Sequence, residues 1–161
     1  MADCCSETNS DQSFGKQVCQ TCGEKGKKVE LATIRSLTRR DHPLYAELKS
    51  GFICTNPDDN TVYYSEENDI IIYHNDLVTS FHLKNPDDKQ NLCYCFQHSR
   101  RAIKEDITKN GHSRIELSIR EKVKQGACTC EVSNPKGKCC LGDVSGFVKN
   151  LQKGNIEIQH A

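Results

Sequence analysis

Cys93-Tyr94-Cys95 and, about thirty residues later, Cys128-Thr129-Cys130-Glu131-Val132-Ser133-Asn134-Pro135-Lys136-Gly137-Lys138-Cys139-Cys140 place six sulfurs in two short turns. Packing alone does not call for that many thiols. Thiolates gathered from two loops suit a soft metal or an iron–sulfur cluster, which takes four of them. The flanking residues say how the loops meet. Ser99 is an N-cap for a helix carrying Ala102, Ile103 and Ile107 and ending at Asn110-Gly111. Ser113 caps a second helix with Ile115, Ile119 and Val123 on one face, closed by Gly126. A third carries Val144, Phe147, Val148 and Leu151 at i, i+3, i+4, i+7 and is expected to stop at Gly154, leaving 155–161 frayed. A helical hairpin between the two cysteine turns brings both to one end.

Upstream, Lys84-Asn85-Pro86-Asp87-Asp88-Lys89-Gln90-Asn91 is polar and contains proline, which reads as a linker over 85–91. Before it stands Cys19-Gln20-Thr21-Cys22-Gly23, a CxxC knuckle closed by a glycine that permits positive φ. Two thiolates at that spacing grip one tetrahedral zinc from a tight turn. A thioredoxin-like role fits less well, because no βαβ pattern surrounds the motif. Ile34 and Leu37 mark a short amphipathic helix ending before Asp41-His42-Pro43. Gly51-Phe52-Ile53 is a short strand that delivers Cys54 into an Asn56-Pro57-Asp58 turn, and β-rich sequence resumes at Thr61. Cys19, Cys22 and Cys54 supply three ligands. Asp59 is the first choice for the fourth, since a carboxylate oxygen is an acceptable zinc ligand; His74 and His82 are the alternatives. Two more strands are expected at 69–74 and 77–83, with His74-Asn75-Asp76 as the turn between them. The expected fold class is α+β: a zinc-ribbon-like β module over 16–84, then a helical domain over 92–153. A metal site closed by protein ligands is structural, leaving no open position for chemistry.

Residues 1–15 are polar and aperiodic, the composition of a disordered tail. Cys4-Cys5 within it is either an incidental thiol pair or, with Met1, an accessory site for Cu(I). The chain carries 22 basic and 22 acidic residues scattered along its length, so no basic stripe argues for nucleic acid. Its longest apolar run, Ile70-Ile71-Ile72-Tyr73, is far too short for membrane insertion. The N-terminal stretch lacks the charged and apolar regions of a signal peptide, so a cytoplasmic location is expected. In that reducing compartment eleven cysteines, an odd number, are expected to be metal ligands rather than disulfides.

Cys93-Tyr94-Cys95-Phe96-Gln97-His98, two helices, and then Cys130 through Asn134-Pro135-Lys136-Gly137-Lys138-Cys139-Cys140-Leu141-Gly142 resemble the N-terminal region of CopZ-type copper chaperones. The CxC half is similar to bacterioferritin-associated-ferredoxin-like [2Fe-2S] domains. Cys19-Gln20-Thr21-Cys22 with Phe52-Ile53-Cys54-Thr55-Asn56-Pro57-Asp58 resembles the zinc-binding module that those chaperones carry ahead of the cluster, and the likeness spans about residues 17–150. This chain departs from the family pattern twice. Asp59 stands where the family usually has a cysteine. The Met-x-Cys-x-x-Cys loop of the chaperones' copper-carrying domain is also absent from a chain whose only methionine is Met1.

The resemblance implies one [2Fe-2S] cluster. Cys93 and Cys95 are the clear pair for one iron; Cys130 and Cys140 are preferred for the other, with Cys128 and Cys139 as alternates. Gly137 and Lys138 are expected to turn backbone N–H groups, and in Lys138 a positive charge, toward cluster sulfur, which would raise the potential. His98 invites comparison with Rieske ligation, though a supporting place outside the ligand set is the stronger expectation. The function expected is one-electron transfer in copper or other soft-metal handling: reduction of Cu(II) to Cu(I), or support of a separate chaperone or transporter, with a redox partner. No general base, nucleophile or cofactor fingerprint suggests an enzyme. A structural double-zinc interaction module or a metal buffer is the alternative.

Overall fold

A computed structural model of the protein describes residues 17–159, with side chains to residue 154. The tail over 1–15 and its Cys4-Cys5 pair lie outside the described residues. Four short strands, β1 (Lys27–Val29), β2 (Gly51–Ile53), β3 (Thr61–Ser65) and β4 (Ile71–Tyr73), form an antiparallel sheet in the order β1-β2-β3-β4. Helix α1 (Leu31–Leu37) follows β1 directly. β3 is rich in β-branched and aromatic residues and is buried along its whole length. Its two faces serve different cores. The pair Ile53↔Tyr63 joins a cluster with Val29, Ile34, Ile72 and Phe81, whereas Phe52↔Tyr64, stacked with ring centroids 5.7 Å apart, packs on Cys19 and Cys54.

The second half begins with a small hairpin, β5 (Asn91–Cys93) with β6 (His98–Ser99), and continues through α2 (Arg100–Asn110), α3 (Arg114–Lys124), α4 (Cys130–Ser133) and α5 (Leu141–Gln159). The caps fall where expected. Ser99 Oγ accepts from the Ala102 amide, Ser113 Oγ accepts from the Glu116 amide, and Gly111 ends α2 at φ +75°. Asp106 fixes the α2–α3 turn by accepting the Ile115 amide at 2.8 Å. Leu92, Ile103, Ile107, Ile119, Val144 and Val148 form this half's core, with Cys93, Cys130 and Cys140 inside it.

The chain folds differently from expectation in four places. Residues 77–83 are not a strand: Leu77 makes an isolated bridge to Thr38, Val78 is exposed, and Phe81 and His82 are buried. Side chains satisfy the backbone there in place of a ladder, with Phe81 N–H donating to His74 Nε2 at 3.0 Å and His82 N–H to the Tyr94 hydroxyl at 2.9 Å. α5 runs through Gly154 to Gln159 instead of stopping at the glycine. β1, the β5–β6 hairpin and α4 arise where no periodicity announces them. The segment 85–91 is tied down: Arg100 donates to the carbonyls of His82 (2.9 Å) and Asn85 (3.2 Å), and Lys104 meets Asp88 at 2.7 Å.

The halves also touch directly. α1 packs on α4, with Thr33 Oγ1 donating to the Glu131 carbonyl at 2.6 Å; the Tyr63 hydroxyl donates to the buried Pro135 carbonyl at 2.6 Å. No helix among the described residues is long and apolar enough to cross a membrane.

Candidate metal centres

The first centre is built by two tight turns. Around the knuckle, Gly23 N–H donates to the Cys19 carbonyl at 2.8 Å and Cys19 N–H to the Glu24 carbonyl at 2.8 Å. Gly23 sits at φ +79°, a conformation that a side chain would strain. Opposite, Cys54 leaves β2 and the Asn56 side chain accepts the Asp58 amide, which turns Asp59 back over the thiols. Asp59 Oδ1 is held by the Thr61 amide at 2.9 Å. That leaves Oδ2 at 3.2 Å from Cys19 Sγ and 3.4 Å from Cys54 Sγ, while Cys22 and Cys54 sulfurs lie 3.6 Å apart.

All four ligand atoms lie within 4.8 Å of one another. Sulfurs on one tetrahedral zinc at about 2.3 Å stand roughly 3.8 Å apart, so Cys19, Cys22, Cys54 and Asp59 fit that ion. His74 and His82 take no part: His74 caps Phe81, and His82 is occupied by Tyr94. Burial pushes the Cys19 thiol up and the Cys54 thiol up to about 12. Burial also opposes ionisation of Asp59, but the Thr61 amide and the neighbouring thiols outweigh it and hold the carboxyl below its usual range. A bound cation reverses the thiol shifts, because thiolates are the ligating form.

Sequence reasoning missed Lys84. Its Nζ lies 3.5 Å from Cys54 Sγ and 2.5 Å from the Asn56 carbonyl, where it offsets the excess negative charge of three thiolates and a carboxylate. It stands 30 residues from Cys54 in the chain, and no local pattern marks it.

The second set of thiols gathers where β5 meets α4 and the start of α5. Cys95 Sγ lies 3.1 Å from Cys130 Sγ, Cys140 Sγ lies 3.2 Å from Cys93 Sγ, and Cys130 and Cys140 are in contact. The sulfurs therefore form a row, Cys95–Cys130–Cys140–Cys93, whose short contacts run between the two loops rather than within Cys93/Cys95. Cys128 is half-buried and Cys139 exposed; neither enters the row. The contact between the two thiols lowers Cys93 to about 7 and raises Cys140. Burial, with Cys95 alongside, raises Cys130 to about 12.

Backbone donors surround the row, though not those expected. The Thr129 amide donates to Cys95 Sγ at 3.2 Å, the Phe96 and Cys95 amides serve Cys93, and the Cys140 amide serves Cys130. Gly137 N–H instead closes a turn on the Asn134 carbonyl at 2.8 Å. The cation felt by Cys93 is Lys122, whose Nζ stands 4.5 Å above the Phe96 ring. His98 has a buried Nε2 with no partner and does not belong to the sulfur row.

His82 and Tyr94 join the halves beside this row. The Tyr94 hydroxyl accepts the His82 amide and lies 2.9 Å from Nδ1. Burial depresses His82 to about 4, so the ring is neutral at pH 7, and its 3.9 Å approach to Asp143 is not an ion pair there.

The fold is a small α+β arrangement carrying a Cys3Asp metal-binding group, and comparison with known proteins narrows it. Residues 16–78 match the family model of the CopZ-type zinc binding domain. That match and the Cys3Asp set together support Zn2+ in the first centre. The chain is similar in fold to the X-ray structure of the Archaeoglobus fulgidus CopZ N-terminal domain, with a TM-score of 0.66 at 21% identity over 81% of this chain and 96% of that one. None of the curated proteins compared matches the chain.

Proposed function

We propose that this protein is a zinc-stabilised [2Fe-2S] electron carrier serving copper or other soft-metal handling. The observation that carries the reading is the row of four cysteine sulfurs, held in two pairs at 3.1 and 3.2 Å with amide donors around it. Four thiols with no carboxylate or imidazole among them are the donor set of a [2Fe-2S] group. Among the described residues only the Cys19 set converges on a single-ion sphere; an extended row of two pairs suits a two-iron group better than a second zinc. Cys93, Cys95, Cys130 and Cys140 would hold it, and it would supply one-electron chemistry there.

The chain's own residues set the conditions. Leu92, Ile103 and Val144 keep water from the inner sulfurs, the Thr129 and Cys140 amides point at sulfur, and Lys122 adds positive charge nearby; the last two favour the reduced state. The electron would convert Cu(II) to Cu(I), or pass to a separate chaperone or transporter. Similarity of the first half to a CopZ-type zinc domain supports the metal-handling context.

Protein purified under anaerobic conditions should be red-brown, contain iron and sulfide in equal amounts besides zinc, and give an EPR signal after dithionite reduction. Reconstitution that leaves it colourless and loaded only with zinc refutes the reading.

A further inference from the structure

Lysines from both halves of the chain gather at one cleft. A pocket of about 440 Å³ lies where the halves meet, walled by Lys27, Lys28 and Thr55 on one side and by Lys136, Lys138 and Cys139 on the other. Asp143, the one acidic residue lining it among those described, is taken up by Lys136 at 3.0 Å. Lys27, Lys28 and Lys138 are exposed and have no acidic partner among the described residues. Three uncompensated positive charges thus face one cleft of a chain whose 22 basic and 22 acidic residues otherwise balance. β1 stands at the end of the sheet, and lysines on an edge strand guard against strand addition. That reason reaches Lys27 and Lys28 but not Lys136 and Lys138, which stand on the loop between α4 and α5.

We propose that this basic cleft is the docking surface for an acidic electron-transfer protein. Its place in the fold suits that partner. Cys139 is exposed in the cleft wall, and the next residue, Cys140, is buried in the sulfur row 3.2 Å from Cys93. A partner seated on the lysines therefore has the row directly behind the wall it touches. In the complex one electron leaves the reduced iron group and enters the partner's oxidised centre; no bond or proton is exchanged. A cleft lined by one sign of charge focuses its field and raises encounter rates by about 10–10³. Such charge sets encounter and orientation more than affinity, which fits a complex that must separate after each transfer. The electron-transfer role of the partner rests on the reading that Cys93, Cys95, Cys130 and Cys140 hold a [2Fe-2S] group.

Two measurements on the full iron- and zinc-loaded chain test the surface. In the first, calorimetry follows binding of an octaglutamate peptide, a stand-in for an acidic protein face. Binding is expected at about 0.01 M salt and should be lost at about 1 M, where the Debye length has shrunk from about 30 to about 3 Å. Lys27→Gln, Lys28→Gln and Lys138→Gln together should weaken it about tenfold or more. Lys109→Gln, Lys149→Gln and Lys153→Gln remove the same charge at residues that do not line the cleft, and should leave it unchanged. In the second, the reduced chain passes one electron to ferricyanide, a trianion that becomes ferrocyanide. The rate at about 0.01 M salt should fall about tenfold in the cleft variant but not in the control variant, and octaglutamate should slow the parent. Equal peptide affinity in the two triple variants overturns the proposal, as do equal ferricyanide rates. Citrate binding as tightly as the peptide would also overturn it, by making the cleft a small-anion pocket. A colourless protein would refute the [2Fe-2S] reading, while peptide binding alone would still decide the acidic docking surface.

Discussion

Asp59→Asn isolates what the carboxylate does at the first centre. Asparagine keeps the volume and an Oδ1 able to accept the Thr61 amide, now 2.9 Å from Asp59 Oδ1. It replaces the anionic oxygen that lies 3.2 and 3.4 Å from the Cys19 and Cys54 sulfurs with a neutral amide. Loss of a direct anionic ligand should weaken zinc binding by at least about 100-fold, more than an outer partner's ~10–100-fold. That is about 2.8 kcal/mol. While zinc stays above its Kd, the same amount is lost from folding stability by mass action. For a chain of this size each kcal/mol moves Tm by roughly 2–4 °C, so the zinc-loaded variant should melt about 6–11 °C lower. Chelator competition gives the affinity, and thermal melts with and without EDTA give the stability. After EDTA the variant and the parent should melt closer together than they do with zinc, because the Thr61 bond survives and the exchange is isosteric at this buried position. Zinc affinity unchanged within threefold, or an equal loss of Tm with and without metal, would refute the assignment of Asp59 as a ligand.

Three further outcomes follow from the interface between the halves. His82 is depressed from 6.5 to about 4 by burial, so its contribution is complete above pH 6.5 and is lost as pH falls toward 4. The gap corresponds to about 3 kcal/mol. Urea unfolding at pH 7 and pH 5 should show a smaller pH dependence for His82→Gln than for the parent, and identical slopes would sink this. Tyr63→Phe removes the donor to the buried Pro135 carbonyl and should cost about 1–3 kcal/mol in urea unfolding at an unchanged m-value; a neutral variant would mean the carbonyl finds water. Gly137→Ala forces a side chain into φ +64° and against Thr33, so it should cost about 1–3 kcal/mol and lower the iron content after reconstitution. Parental stability and iron content in that variant would show that the loop adapts freely.

The parts of the fold legible in the sequence are those fixed by local chemistry. Ser99 and Ser113 cap α2 and α3 because a hydroxyl before an amphipathic run satisfies free amides within its own turn. The Cys19/Cys22 knuckle and the approach of Cys54 and Asp59 are readable for the same reason: each turn is written in a few adjacent residues. Residues 77–83 misled because Phe81 and His82 are anchored by side chains outside the segment, His74 and Tyr94, rather than by a ladder. Gly137 invited an anion-facing amide, but Asn134 takes that N–H first. Lys84 beside Cys54, and Lys122 beside Cys93, are placed by tertiary packing alone.

The contacts that sequence could not supply also bear on how the two centres share one scaffold. Asp59 is tied to the Thr61 amide, and two residues along β3 the Tyr63 hydroxyl reaches Pro135. Pro135 adjoins Asn134, whose side chain holds the Lys138 carbonyl immediately before Cys139 and Cys140. From a first-centre ligand to the thiol loop the path is thus one strand and three hydrogen bonds, all buried or partly buried. Removing a partner from such a path exposes an unsatisfied group rather than a solvated one, so a change at either end is costly to absorb locally. A second path runs from α1 through Thr33 to Glu131, next to Cys130. Both paths converge on 130–140, so filling the Cys3Asp site should slow amide exchange in the thiol loop, and equal exchange with and without zinc would refute the link. A site with no open coordination position would thereby act on the thiol loop through the scaffold alone.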